Sequence, residues 1–301
     1  MKKYTVLFLV LLLQTMLISC KKTSEQGYES PIAGTLRYVP AGLFHRDENS
    51  ANTTGVSAFR IAEHEITREQ FLNVMGADPS DTAFSGGITD PVQNVNWYMA
   101  IAFCNKLSIK EKLLPVYSVA GVDFSLLKFE DIPVTENETW NSVSADAAAN
   151  GYRLPTEAEW QWAAMGAEDK KDKPFAGSTS GSNIDDYAWY YNNSGDKYIS
   201  DEWNWNEVER NRNRTHSAGE KKPNELGLYD MSGNVWELCW DLYGAYPSGP
   251  VADYRGASSG KQRTFRGGGW YDSASYCGLE FRYIINPEFQ QYNTGFRVAR
   301  N

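Results

Sequence analysis

The chain has 301 residues, 42% of them apolar and 22% charged, with a formal net charge of −9. That much apolar material buries a real core, which excludes a disordered chain, and an acidic sequence without a basic block is a poor partner for nucleic acid. Ten tryptophans, 18 tyrosines and 25 glycines predict a turn-rich domain packed around aromatics rather than a helical bundle.

The first twenty residues, "MKKYTVLFLVLLLQTMLISC", read as an export address. Lys2 and Lys3 precede an apolar run from about Tyr4 to Ile18, shorter than the ~20 residues a spanning helix needs. Leu17-Ile18-Ser19-Cys20 is similar to a bacterial lipobox, whose cysteine is lipidated once the leader is cleaved. The alternative is an ordinary signal peptide or anchor that happens to end in cysteine. On the lipoprotein reading, residues 1–19 are the signal peptide, Cys20 is the lipidated residue, and 20–33 form a polar tether. Residues 34–301 then form one domain, periplasmic or at the outer membrane. Losing Lys2 and Lys3 with the leader takes the charge from −9 to −11.

Farther along, "TLRYVPAGLF" alternates like a short strand. "ITREQFLNVMG" offers a capping box, Thr67 with Gln70, before Phe71, Val74 and Met75, and Gly76 stops the helix. In "NWYMAIAFCNKL", Trp97, Ile101, Cys104 and Leu107 recur at helical spacing behind Asn96 as a cap, which makes Cys104 a core residue. "LPTEAEWQWAAMGA" repeats the capping device with Thr156 and Glu159, and turns Trp160, Ala163 and Ala164 inward. The polar stretch from about Asp169 to Asn213 reads as long surface loops. The final "GFRVAR" is a second strand candidate. With Cys20 lipidated, Cys104, Cys239 and Cys277 are an odd set in a compartment where disulfides persist, so at least one thiol is free unless the chain pairs with another.

The segment richest in chemistry is "GLYDMSGNVWELCWD". Asp230 and Glu237 are seven residues apart, with Gly233 between them able to take a positive φ. Such a loop can aim both acids, and the carbonyls of Gly233 and Val235, at one point, and oxygen-only ligation suits Ca²⁺. The bland alternative makes Asp230 a turn acid and Glu237 a surface acid.

"EITREQF", "GYRLPTEAEWQWAA", "NELGLYDMSGNVWEL", "FRGGGWYDSASYC" and "NTGFRVAR" follow one another in an order that resembles the formylglycine-generating enzyme, or sulfatase-modifying factor, family. The resemblance runs from about Gly34 to Arg300. It implies an α+β domain with an elaborated C-type-lectin-like fold, little regular secondary structure and bound calcium, with Asp230, Gly233, Val235 and Glu237 as ligands. Catalytic members are copper-dependent oxidases that convert a sulfatase cysteine to formylglycine, holding Cu(I) between two cysteines five residues apart. A soft ion favours such a thiolate pair. Here the second cysteine matches Cys277, but the first falls on Asp272, a hard carboxylate. The family's serine after "RGG" is also replaced, by Gly269. Cys277 is the one candidate catalytic residue left, and a pairing of Cys277 with Cys239 stays open.

The aromatic C-terminal part suggests another use. Trp236, Trp270, Tyr271, Asp272 and Tyr276 are candidate ligand-binding residues, with Ser273, Tyr283, Ile284, Phe289 and Tyr292 nearby in sequence. Rigid amphipathic rings bind well at low entropic cost. Some relatives that resemble this family act as ligand receptors through this region, although several of these rings could equally be core. The sequence thus reads as an exported, lipid-anchored, calcium-binding domain, non-catalytic and binding a peptide, glycan or envelope protein. The alternatives are a formylglycine-generating oxidase or a family enzyme with altered chemistry.

Overall fold

The computed structural model describes residues 27–169, 173–178 and 183–301. The signal peptide and Cys20 lie outside the described residues.

Helices begin where the caps predicted. Helix α1 (Arg68–Met75) starts at Thr67, whose hydroxyl accepts from Gln70 N while the Gln70 side chain returns to the Thr67 backbone; it ends at Gly76 with φ 76°. Helix α2 (Trp97–Lys110) is capped by Asn96 and buries eleven of its 14 residues, Cys104 among them. A helix apolar on nearly every side belongs inside a core. After the one-turn α3 (Glu138–Asn141), α4 (Glu157–Ala164) repeats the capping box through Thr156 and Glu159. Helix α5 (Trp205–Arg210) is short. Among the described residues no helix is long and apolar enough to cross a membrane.

Two four-stranded sheets carry the architecture. In the first, β1 (Tyr28–Ser30), β2 (Gly34–Val39), β5 (Phe59–Ala62) and β13 (Ala299–Arg300) lie in that order, so the two ends of the domain meet in one sheet. The second runs β11 (Arg282–Ile285), β10 (Arg263–Arg266), β8 (Trp236–Leu242) and β12 (Thr294–Gly295). Smaller pairings join β3 (Gly42–His45), β4 (Thr53–Val56) and β9 (Val251–Ala252), and β6 (Tyr117–Ser118) with β7 (Ser144–Ala145). The largest core cluster gathers α1, α2 and Phe296; a second gathers α4, Met231, Cys239 and Leu279. Strand β8 contributes to both.

Two expectations need correction. The domain does not begin at Gly34: Tyr28 pairs with Leu36 and Ser30 with Gly34, and Ala33 is buried. Ser30 folds this segment back, its hydroxyl accepting from Ala33 N and donating to Glu111. A three-residue strand has no alternation of its own to read; its partner β2 specifies it. The stretch from Asp169 to Asn213 is also more than surface loop. Tyr190, Tyr191, Ser194 and Asn213 are buried. Asn213 Nδ2 donates to the Tyr191 carbonyl at 2.7 Å, and Tyr191 packs with Trp270.

Candidate functional site

The expected calcium loop is a tight turn leading into β8. Asp230 adopts φ 54° and Gly233 φ 80°. A Cβ on Gly233 would sit 2.3 Å from the Trp189 carbonyl oxygen, so only glycine fits. Glu237, the first inward acid of β8, is fully buried. Its Oε1 accepts from Arg297 Nη2 at 2.6 Å, and its Oε2 accepts from Arg297 Nε at 2.6 Å and Trp160 Nε1 at 2.8 Å. This is a bidentate charge-assisted pair. Arg297 also donates to the carbonyls of Ala62 and Tyr229.

Asp230 is less well served. Its Oδ2 accepts from Gly219 N at 2.7 Å, and its buried Oδ1 has no partner. A third acid joins it: Glu65 is fully buried with neither oxygen hydrogen-bonded. Burial, and then the Asp230 charge, push Glu65 well above the usual carboxylate range. Asp230 is pushed up to about 6, chiefly by burial. Three acids thus face one guanidinium, with three carboxylate oxygens unengaged.

Sequence reading missed Glu65, which opens the quoted "EITREQF" but carries no local signal that separates it from a surface acid. Hard, unpartnered oxygens suit a divalent cation. Glu237, however, has both oxygens engaged, and among the described residues no three Asp, Glu, His or Cys side chains form a ready cage. A calcium ion would take Glu65 and Asp230 and need the Gly233 and Val235 carbonyls to complete its shell.

The second centre follows β10. Gly267 and Gly268 have φ 99° and 74°, and a Cβ on Gly268 would lie 2.8 Å from Cys277 Sγ. The loop brings Asp272 back onto itself. Three donors meet Asp272 Oδ2: Trp236 Nε1 at 2.8 Å, Gly269 N at 2.9 Å and Asn293 Nδ2 at 2.9 Å. A Cβ on Gly269 would fall 3.1 Å from that same Oδ2 and 2.9 Å from Asn293 Cβ. A serine at 269 therefore crowds a carboxylate at 272. The two departures from the oxidase motif thus lie side by side, 3.1 Å apart by this measure.

Cys277 is buried among Ile184, Ala188 and Tyr190. Burial and the Asp272 charge push its thiol well up, so it stays protonated. Cys239 lies in a different core cluster and its thiol is also pushed up by burial. Cys104, Cys239 and Cys277 are all free, so the pairing left open by the sequence is not formed. A neutral buried thiol beside a hard carboxylate does not fit Cu(I), which favours a pair of thiolates.

The candidate ligand-binding residues separate into floor and rim. Trp270 is fully buried, stacked on Phe84 at 5.2 Å with its Nε1 on the Tyr292 carbonyl, and Trp236 is buried too. Both were expected on a binding face and are instead core residues. Tyr271 and Asp272 are half-buried, and Tyr276 is 38% exposed. Tyr283, Phe289 and Tyr292 are exposed, as is Trp203, whose indole donates to the Tyr271 carbonyl. Trp203 was missed because it lies in the stretch read as loop. A groove of about 570 Å³ lined by Pro174, Ser275, Gly278 and Phe281 opens on the flank where Tyr276 meets Phe281.

Residues 23–301 match the family model described as sulfatase-modifying factor enzyme 1-like domain. The chain is 35% identical over 296 residues to the chaperone protein LppX of Paenibacillus barcinonensis, covering 98% of this chain and 99% of that protein. It is 32% identical over 174 residues to the formylglycine-generating enzyme of Streptomyces coelicolor, covering 54% of this chain and 51% of the enzyme. Among solved structures, Treponema denticola variable protein 1 superposes with a TM-score of 0.77 at 39% identity, over 91% of this chain and 98% of that one. CarF superposes at 0.63 with 25% identity, over 88% and 97%. The fold is thus of the formylglycine-generating-enzyme type, mixed helix and sheet with few regular helices, as the motifs implied.

Proposed function

The chain belongs to the sulfatase-modifying factor family, and from that premise we propose that it is an exported, lipid-anchored binding protein of the cell envelope that has given up the family's oxidase chemistry. The observation that carries this reading is Asp272 in the place of a thiol, held by three N–H donors beside a buried, protonated Cys277. The relative named as a chaperone, alike over nearly its whole length, supports a role in holding another polypeptide. The exposed rings of Tyr276, Tyr283, Phe289 and Tyr292 supply the face for it. Calcium at Glu65 and Asp230 would brace the loop that leads into β8.

An aerobic incubation of the protein with Cu(I) and a cysteine peptide of sulfatase type tests the non-catalytic reading. The cysteine should survive as it does without protein; formylglycine formation that is abolished by Cys277→Ser would overturn the reading. The anchor is tested by Cys20→Ser, which should release a processed, folded protein from membranes.

A further inference from the structure

Asp272 carries more charge than its place in the loop requires. All three donors that hold it converge on Oδ2, and an asparagine carbonyl would accept the same three. What is left over, among the described residues, is Oδ1 without a partner and a negative charge that no described Lys, Arg or His side chain neutralises. Burial pushes this carboxyl up to about 6, against the pull of its three hydrogen bonds. It is therefore mainly ionised at neutral pH. A half-buried anion without a counter-ion costs free energy that asparagine would avoid.

The surroundings favour a cation and repel an anion. Trp236 donates its indole N–H to Asp272, and Tyr276 meets the Trp236 ring edge-on at 6.4 Å. Tyr271 precedes Asp272 in the chain, and its hydroxyl is held well up by burial and then by the Asp272 charge. Tyr292, 41% exposed, leads into Asn293. Aromatic faces carry negative potential and attract a cation that a nearby carboxylate also attracts. A guanidinium would seek both oxygens of the carboxylate in its bidentate geometry, but Oδ2 is already filled. One free oxygen suits a compact ammonium, whose apolar stem can lie on exposed rings.

We propose that Asp272 is the receptor for the ammonium group of a lysine side chain, presented by a polypeptide ligand whose lysine stem packs on the exposed rings of Tyr276 and Tyr292. This rests on the ligand-binding reading above and adds the chemistry that the ligand must bring. The probe is a peptide capped at both ends with one central lysine between apolar residues, titrated into the full chain by calorimetry. Its counterparts carry Nε-acetyl-lysine, arginine, or no lysine but a free N-terminus.

The lysine peptide should bind at least about tenfold more tightly than the acetylated and arginine forms. Asp272→Asn should erase that preference while melting as the unmodified protein does; should that variant fail to fold, the acetylation comparison on the unmodified protein decides alone. Equal binding of lysine and acetyl-lysine peptides overturns this inference and leaves the ligand-binding reading standing. Equal binding by the lysine-free peptide with a free N-terminus overturns the side-chain assignment. If no peptide binds, both readings fall.

Discussion

Glu237 and Asp272 are both acids at the heart of this molecule, and each accepts a hydrogen bond from a tryptophan indole, Trp160 and Trp236 respectively, at 2.8 Å. There the likeness ends. Glu237 closes its charge on Arg297 through two bonds of 2.6 Å, inside a pair with no exposure at all. Asp272 meets only neutral N–H groups and keeps one oxygen open. A charge that is satisfied internally belongs to the scaffold, whereas a charge left open is free to meet something from outside.

The largest effect should separate the two at once. Arg297→Met leaves Glu237 unpaired beside Glu65 and Asp230 and should cost about 3–5 kcal/mol in urea unfolding. Asp272→Asn keeps all three acceptor contacts and should stay within about 1 kcal/mol of the unmodified protein. A comparable loss in both would erase the distinction.

Next in size is the pH dependence of the acidic cluster. Asp230 is raised from 3.8 to about 6, so its contribution to folding is complete below about pH 4 and is lost as pH rises through 6. Without calcium, that loss should be on the order of 3 kcal/mol. Asp230→Asn should remove this component from the stability profile. Calcium should also remove it in the unmodified protein, because a cation favours the ionised acid and stabilises the state that binds it. Melting curves at pH 4 and 7.5, with calcium and with chelator, read this directly, and a calcium-independent difference would take the cluster out of contention as a cation site.

A smaller effect is expected at Gly269. Gly269→Ser should cost about 1–3 kcal/mol by crowding Asp272 and Asn293, and less when Asp272→Ala removes the carboxylate. Additive losses would mean that the two positions are independent. Smallest of all, Cys104, Cys239 and Cys277 should resist alkylation in the folded protein and react only on unfolding, as buried protonated thiols do.

Elements with a local chemical signature were legible in the sequence. The capping boxes at Thr67 and Thr156 set their helices, and the turn at Gly233 needs the φ that only glycine takes freely. Elements defined by distant partners were not. Strand β1 exists because β2 pairs with it, and Trp203 reaches the face because Tyr271, 68 residues on, receives its indole hydrogen bond. Burial of Trp236 and Trp270 was hidden for the same reason, since an aromatic residue in a loop looks alike whether it lines a face or supports it. The substitution at Asp272 could be read from spacing alone, but its link to Gly269 appears only when a Cβ is set against Oδ2.

Cu(I) affinity tests most directly the claim that a two-thiol centre has become a carboxylate receptor. In competition with a chromophoric Cu(I) chelator, the unmodified protein should bind no more tightly than Cys277→Ser, and Asp272→Cys should gain affinity by restoring the thiol pair. Tight binding by the unmodified protein that Cys277→Ser abolishes would contradict the account.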